Sequence, residues 1–386
     1  MLEGVNVALG VSGSIAAVKT VELAHELRRH GAQVRAVTTD AATGIIHPWA
    51  LEFATGNDAV TEITGAVEHV ELCGRDGWAD VLLVAPATAN TVGKIAAAVD
   101  DTPVTTCATV ALGADVPVVV APAMHEPMYD HPGVLASLDR LEGWGIEFVD
   151  PRVEEGKAKI AAEADIVTET ARAVGPDPLG GRHVVITSGA TSERIDPVRT
   201  ITNRASGRTG RAVARACYAR GADVTLVHDG ADVSYATVEQ VESAAEMLDA
   251  VRAHADDADA LVSAAAVSDY TVAASDEKIR SGQELTLELE PTPKLIDTVR
   301  EEHPDLAVVG FKLETSGDDD ALVEKARETL ERAGLSFVVG NDASVLGEAE
   351  TRTLFVRGER VEEFVGPKDE LGLRIAVELA DELDGE

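Results

Sequence analysis

Residues 5–10, 33–38, 81–85 and 116–121 are short strand-sized runs, the last two apolar throughout, and the stretches between them carry helical spacing. A strand that is apolar on both faces must be covered on both faces, and strands separated by helices run parallel. The pattern therefore predicts a parallel sheet between two layers of helices. Residues 16–30 show the helical part, an amphipathic stretch ended by Gly31. The rhythm breaks at 171–182, where two prolines and three glycines fall within twelve residues. Such a concentration disfavours both helix and strand. It then restarts, with strands predicted at 183–187, 223–228, 260–265, 307–311 and 337–340, and a helix at 209–220 closed by Gly221.

The expected architecture is α/β, with two three-layer α/β/α domains at 1–175 and 183–386 and a linker at 176–182. A length of 386 residues agrees, since it exceeds what one core usually serves. No run approaches the roughly 18 apolar residues of a membrane span. The chain passes from Met1 almost directly into a strand, with no basic leader, so a cytoplasmic protein is expected. Cys73, Cys107 and Cys217 lie too far apart for a metal-ligand motif or a disulfide framework. Metal ligands stay unassigned.

Charge removes one class of partner. Acidic residues number 68 against 33 basic ones, of which nine are lysine, for a net charge of −35. The acids are dispersed rather than gathered in a tail, as on a halophilic surface where salt screens self-repulsion. A field of this sign opposes nucleic acid.

In open α/β sheets, ligands collect beyond the carboxyl ends of strands. Four features of the first half fall at such places. Gly10-Val11-Ser12-Gly13-Ser14-Ile15 is a small, donor-rich turn into a helix, suited to an anion; the third glycine of a dinucleotide fingerprint is missing. The second loop, Pro86-Ala87-Thr88-Ala89-Asn90-Thr91 with Lys94, carries hydroxyls, an amide and a cation. The third is Pro122-Ala123-Met124-His125-Glu126-Pro127-Met128. The fourth is His69, twelve residues before the strand that feeds the second loop.

Together with Trp78-Ala79-Asp80, these segments resemble the homo-oligomeric flavin-containing cysteine decarboxylases in order and spacing. The resemblance implies a flavodoxin-like fold, FMN as cofactor, and a trimer with active sites between subunits. It implies FMN contacts at Gly10, Ser12, Gly13, Ser14, Ile15, Thr38, Pro86, Thr88, Asn90, Thr91 and Met124. His69 is the implied base or orienting group. A flavin answers a chemical need: oxidising the thiol of an acylated cysteine to a thioaldehyde creates the electron sink that decarboxylation requires. An imidazole of ordinary pKa near 6.5 suits the proton traffic. Two departures stand out. His125 replaces the family's usual asparagine, with one hydrogen bond to the substrate carboxylate still available. The stretch resembling the family's flap, residues 154–160, holds Lys157 and Lys159 but no cysteine, so those lysines and Met128 are the expected substrate contacts.

In the second half, a loop of about twenty residues separates a strand from its helix, which is uncommon unless the loop has a job. It runs from Ser188 through Asp196-Pro197-Val198-Arg199 to Asn203-Arg204-Ala205-Ser206-Gly207. With Ala264-Ala265-Ala266-Val267-Ser268-Asp269, Glu277-Lys278-Ile279, Val309-Gly310-Phe311 and Gly340-Asn341-Asp342, it resembles phosphopantothenate–cysteine ligase. The resemblance implies a Rossmann-like domain joining 4′-phosphopantothenate to L-cysteine through an acyl-nucleotide, with CTP and Mg2+ or Mn2+. Asn203 would orient that intermediate and Arg199 would touch substrate. Ser206, Gly207, Gly210, Ala265, Asp269, Lys278, Gly310, Phe311, Lys312, Leu313 and Lys368 would hold the nucleotide. The order of domains then gives consecutive steps ending in 4′-phosphopantetheine, on a homo-oligomer with trimeric decarboxylase and dimeric ligase contacts. The alternatives are a prenyltransferase-like flavoprotein or peptide-cysteine decarboxylase, which leaves the second half unexplained, and a catalytically silent flavin-binding regulator.

Overall fold

The computed structural model describes residues 1–154, 157–282, 284–314, 319–342 and 350–385. The chain divides into two compact units at Pro176/Asp177. In the first, strands β1 (Asn6–Val11), β2 (Gln33–Thr38), β3 (Val81–Ala87), β4 (Val118–Pro122) and β5 (Glu147–Phe148) form one parallel sheet in the order β2-β1-β3-β4-β5. All seven residues of β3 are buried, which is why its sequence shows no alternation. Leu82, Val84, Val104, Val118, Val120 and Leu141 belong to one buried cluster of this unit. The stretch predicted as a helix at 16–30 is a short 3-10 turn, Ile15–Lys19, followed by the α-helix Thr20–Arg29.

Trp78 and Asp80 work at the edge of this sheet where β1 and β3 begin. Asp80 accepts a 2.7 Å hydrogen bond from the Asn6 amide at the start of β1. Trp78 lies under the Arg35 guanidinium, 5.3 Å from the ring centre. Part of the motif that carried the resemblance is thus structural and faces away from the ligand edge.

The second unit has β6 (His183–Thr187), β7 (Asp223–His228), β8 (Thr237–Gln240), β9 (Ala260–Ser263), β10 (Ala307–Glu314), β11 (Phe337–Asp342), β12 (Glu350–Arg357) and β13 (Arg360–Pro367). Their order is β8-β7-β6-β9-β10-β11-β12-β13. The first six are parallel, and β12 and β13 add an antiparallel hairpin at one edge. The helices Arg208–Ala219 and Lys368–Asp384 pack side by side, so tightly that a Cβ on Gly372 would lie 2.5 Å from the Ala212 carbonyl oxygen.

The proline- and glycine-rich segment is more ordered than its composition implies. Ala171–Val174 completes the helix Glu163–Val174. Leu179 is fully buried in the core of the second unit, and its N–H donates to the Arg220 carbonyl at 3.0 Å. Among the described residues, no helix is long and apolar enough to cross a membrane.

Candidate functional sites at two switch points

In the first unit the strand order reverses between β1 and β3, and the loops leaving these strands define the crevice where such sheets take ligands. One serine ties the two loops. The Ser12 hydroxyl donates to the Pro86 carbonyl at 2.7 Å and accepts from the Thr88 N–H at 3.1 Å. Ser14 reaches the third loop, its hydroxyl donating to the Ala123 carbonyl at 3.2 Å. The Ala123 N–H in turn donates to the Ala87 carbonyl at 2.9 Å. Thr88 caps the helix Ala89–Ala96 by accepting the Thr91 N–H, and Asn90 is exposed beside it. Three of the four predicted features therefore share one edge. Around them Ile15 is 77% exposed, Met124 is half-buried and Met128 is exposed.

His69 lies on the helix Glu68–Cys73, which packs against Pro103–Gly113. Arg75, just past the end of that short helix, donates to the Gly113 carbonyl at 3.2 Å. The two helices thus run the same way, and His69 lies toward the Pro103 end, where Val104 meets Gly10 at the end of β1. Its Nδ1 is buried without a hydrogen-bond partner, and so is the Thr38 hydroxyl at the end of β2. Buried polar atoms are rarely left alone, so two orphans flanking a donor-rich edge fit a polar group received from a ligand. The residues present accordingly fit a flavin mononucleotide.

The flap is a ribbon. Arg152–Glu154 and Lys157–Lys159 pair antiparallel, and Lys157–Lys159 pairs with Met124–His125, with His125 opposite Lys157. Glu155 and Gly156 lie outside the described residues. The predicted substrate lysines therefore come from a strand laid against the third loop, and exposed His125 begins the helix Glu126–Tyr129. Burial, with the charges of Asp150 and Asp130, pushes the nearby Tyr129 phenol up.

In the second unit the order reverses between β6 and β9. The Ala266 N–H donates to the Gly189 carbonyl at 2.9 Å, and the Thr191 N–H returns a bond to Ala266 at 3.2 Å. Asn203 joins the same carbonyl through Nδ2 at 3.1 Å. Asn203 and Ala265 thus sit at the reversal point, and the Ala265 N–H is held by the Thr187 hydroxyl at 3.2 Å. Gly207 ends the loop at φ +68°, its carbonyl accepting from the Ser188 hydroxyl at 2.9 Å. A Cβ there would stand 3.0 Å from the Gly189 nitrogen, so glycine is required. Ser206 is exposed next to it.

Buried Asp196 organises the long loop. Its carboxylate accepts from the backbone N–H of Val198 (2.8 Å), Arg199 (2.9 Å) and Ile279 (3.1 Å), and pairs with the Arg199 guanidinium at 3.2 Å. Burial opposes its charge, yet the three N–H donors and Arg199 hold its carboxyl below the ordinary range. The Arg199 side chain also donates to the Ile279 carbonyl at 2.9 Å. Asp196 and Arg199 therefore pin the neighbour of Lys278 to the loop, and Lys278 itself is exposed.

Several expected ligand contacts have other work. A Cβ on Gly10 would meet Val104 at 3.1 Å, on Gly13 Ala41 at 2.6 Å, on Gly210 Ser188 at 2.6 Å, and on Gly310 Leu335 at 2.7 Å. These glycines allow close packing within the protein. Arg199 is a clamp rather than a free substrate cation. Lys94 is committed to both oxygens of Asp101 at 2.8 Å. Phe311 packs on the core, half-buried Lys312 follows it, and Leu313 is 44% exposed. Asp269 is ion-paired with Lys294, a lysine that sequence reasoning passed over. The Thr292 N–H donates to the Asp269 carbonyl at 3.0 Å, which holds Lys294 beside its partner.

Residues 1–175 match the flavoprotein family, and residues 179–383 match the DNA/pantothenate metabolism flavoprotein C-terminal domain. The coenzyme A biosynthesis bifunctional protein CoaBC of Thermococcus kodakarensis is 50% identical over 361 residues, covering 92% of this chain and 89% of that protein. The protein of the same name from Methanocaldococcus jannaschii is 36% identical over 381 residues, covering 97% and 93%. A crystal structure of the C-terminal domain of a CoaBC protein is 30% identical, covering 54% of this chain and all of that one, with a TM-score of 0.47. Two switch points on one chain, one fitted for a flavin and the other closed by a long donor-rich loop, agree with matches that run nearly end to end, and the chain belongs to the family of bifunctional coenzyme A biosynthesis proteins, flavoprotein decarboxylase and ligase in one polypeptide.

Proposed function

We propose that the second unit joins 4′-phosphopantothenate to L-cysteine using CTP with Mg2+ or Mn2+, and that the first unit, with FMN, decarboxylates the product to 4′-phosphopantetheine. The ligase step begins when a substrate carboxylate oxygen bonds to the α-phosphorus and pyrophosphate leaves with the electron pair of the broken P–O bond. The cysteine amine then displaces the nucleoside monophosphate. Carboxylate and triphosphate repel, so cations and N–H donors must neutralise the phosphates. Ser206, Gly207, Lys278, Lys368 and the Lys294–Asp269 pair are assigned that work. Among the described residues, no cluster of three His, Cys, Asp or Glu side chains could hold a metal, and the cation is assigned to the nucleotide phosphates, as Mg2+ commonly binds.

The observation that carries the ligase reading is Asn203, fixed through Ala266 at the strand-order reversal with its amide exposed. In that position it orients the acyl-nucleotide for amine attack. For the decarboxylase, Ser14, Thr88, Asn90 and Thr38 are assigned to FMN, which when bound supplies the two-electron chemistry an acylated cysteine lacks. His69 moves or holds the substrate proton, and His125 with Lys157 and Lys159 receives the carboxylate. A cytoplasmic homo-oligomer, with trimeric contacts from the first unit and dimeric contacts from the second, completes the reading.

The test is to incubate the protein with 4′-phosphopantothenate, cysteine, Mg2+ and either CTP or ATP, following products by mass. The amide and its decarboxylated product are expected with CTP, and no amide with either nucleotide would sink the ligase assignment. Asn203→Asp should still release pyrophosphate while amide formation slows on the order of 10²-fold or more; wild-type amide turnover would remove Asn203 from the mechanism.

A further inference from the structure

A cleft of about 350 Å³ opens in the second unit between the helices Arg208–Ala219 and Lys368–Asp384. Arg208, Arg211, Arg215 and Lys368 line it, with Asp369 the one carboxylate among its lining residues. Four cations against one anion is a sharp local inversion in a chain of net charge −35. Asp369 is ion-paired with Arg215 at 3.9 Å. The Arg215 Nε is buried without a hydrogen-bond partner, and its guanidinium is held over the Tyr235 ring at 5.1 Å. Both helices begin with residues that line the cleft, and neither has a side-chain cap at its start, so first-turn N–H groups add to the positive end of each.

We propose that this cleft binds an oligophosphate anion and takes the pyrophosphate end of the nucleotide while the carboxylate is activated. Arg211 gives the continuity, because its Nη2 donates to the Ser206 carbonyl at 2.9 Å, in the anion loop. A Cβ on Gly207 would lie 2.8 Å from Arg211 Nη1, so the guanidinium is pressed against that loop. A ligand whose α-phosphate sits at Ser206 and Gly207 can extend its remaining phosphates past Arg208 and Arg211 toward Arg215 and Lys368. As the α–β P–O bond breaks, these side chains take up the charge that grows on pyrophosphate, and they hold it until release. The assignment to the leaving group rests on the ligase reading; the anion site does not.

The experiment is isothermal titration of the whole protein with sodium pyrophosphate alone, at fixed salt, for wild type, Arg211→Gln and Arg215→Gln. Because Arg215 packs on Tyr235, thermal melting checks that its variant is folded, and Arg211→Gln, with no ring contact, keeps the test open if it is not. Saturable binding is expected in wild type, weakened at least tenfold in each folded variant and displaced by CTP. Absence of saturable pyrophosphate binding, or equal binding in Arg211→Gln, would overturn the site. Binding that CTP fails to displace would overturn the leaving-group role and leave an effector site for a phosphorylated metabolite. Loss of binding in the variants of a protein that makes no amide would instead count against the ligase reading while keeping the cleft.

Discussion

The two switch points solve the same problem with opposite means. At β1/β3 the loops are short, and one serine hydroxyl bonds both a carbonyl and an N–H across the crevice. At β6/β9 a loop of about twenty residues must be shaped, and the fastening is a buried carboxylate holding three backbone N–H groups and a guanidinium. A short loop is almost fixed by its strand ends, so a neutral hydrogen bond suffices. A long loop has far more conformations to lose, and an ionic hub answers that cost. The first site should therefore tolerate loss of its tie better than the second tolerates loss of its hub.

The largest effect expected is chemical. His69→Asn should lower carbon dioxide release by about 10²–10⁴, the scale of general acid–base catalysis, while FMN remains bound and amide formation by the other unit is untouched. Mass analysis of both products from one reaction reads the two activities together. A matching fall in ligation would show the two sites to be less separable than their topologies imply.

Asp196→Ala comes next. With the hub gone, Ile279 and the Lys278 beside it lose their anchor, and misplacement by an ångström costs on the order of 10² in rate. Ligation should fall by that order with decarboxylation retained. The carboxyl is held below its ordinary range in the folded protein, so its stabilising effect is present above the unfolded value near 3.9 and is lost as pH falls through the folded one. Full ligase activity in the variant would mean the loop is shaped by something other than this carboxylate. Ser12→Ala should do less. It leaves the Thr88 N–H short of an acceptor while the Pro86 carbonyl keeps the Ser12 N–H at 3.3 Å, a cost of about 1–3 kcal/mol, read as a roughly tenfold weaker FMN affinity in fluorescence titration of the flavin-free protein. An unchanged affinity would show that the tie serves folding alone.

How far the sequence reached follows from the same contrast. Buried parallel strands announce themselves as uninterrupted apolar runs, and β3 with all seven residues buried is the plainest case. Their order in the sheet is set by which way each crossover turns, and periodicity is silent on that. Loop composition singled out both loop clusters, and the structure adds a packing role for their glycines. A glycine reports that something comes close, and at Gly10, Gly210 and Gly310 that something is Val104, Ser188 and Leu335. Asp196 lay within a recognised motif, yet its role stayed hidden because one of its partners is a backbone N–H at Ile279, 83 residues away. Lys294 was missed for a related reason, since its partner Asp269 precedes it by 25 residues.

The smallest effect expected is a drift of stability with pH, confined to the second unit and centred on His228 at the end of β7. The residue is 1% exposed, its ring nitrogens make no close side-chain hydrogen bond, and the Ala231 backbone is the polar neighbour that favours its charged form. Burial, helped by the charge of Arg211, pushes its imidazole below the ordinary range, against the opposing pull of Asp229 and Asp232. The native state therefore keeps His228 neutral at pH values where the unfolded chain has taken a proton. Protons bind the unfolded state more, so stability is whole above the unfolded value near 6.5 and declines as pH falls from there toward the folded value. Melting followed from pH 7.5 to 5.5 should show this slope in wild type and a flatter one in His228→Leu, whose side chain asks for no proton. A wild-type slope that survives the substitution would place the sensitivity elsewhere and leave the two sites alike in acid.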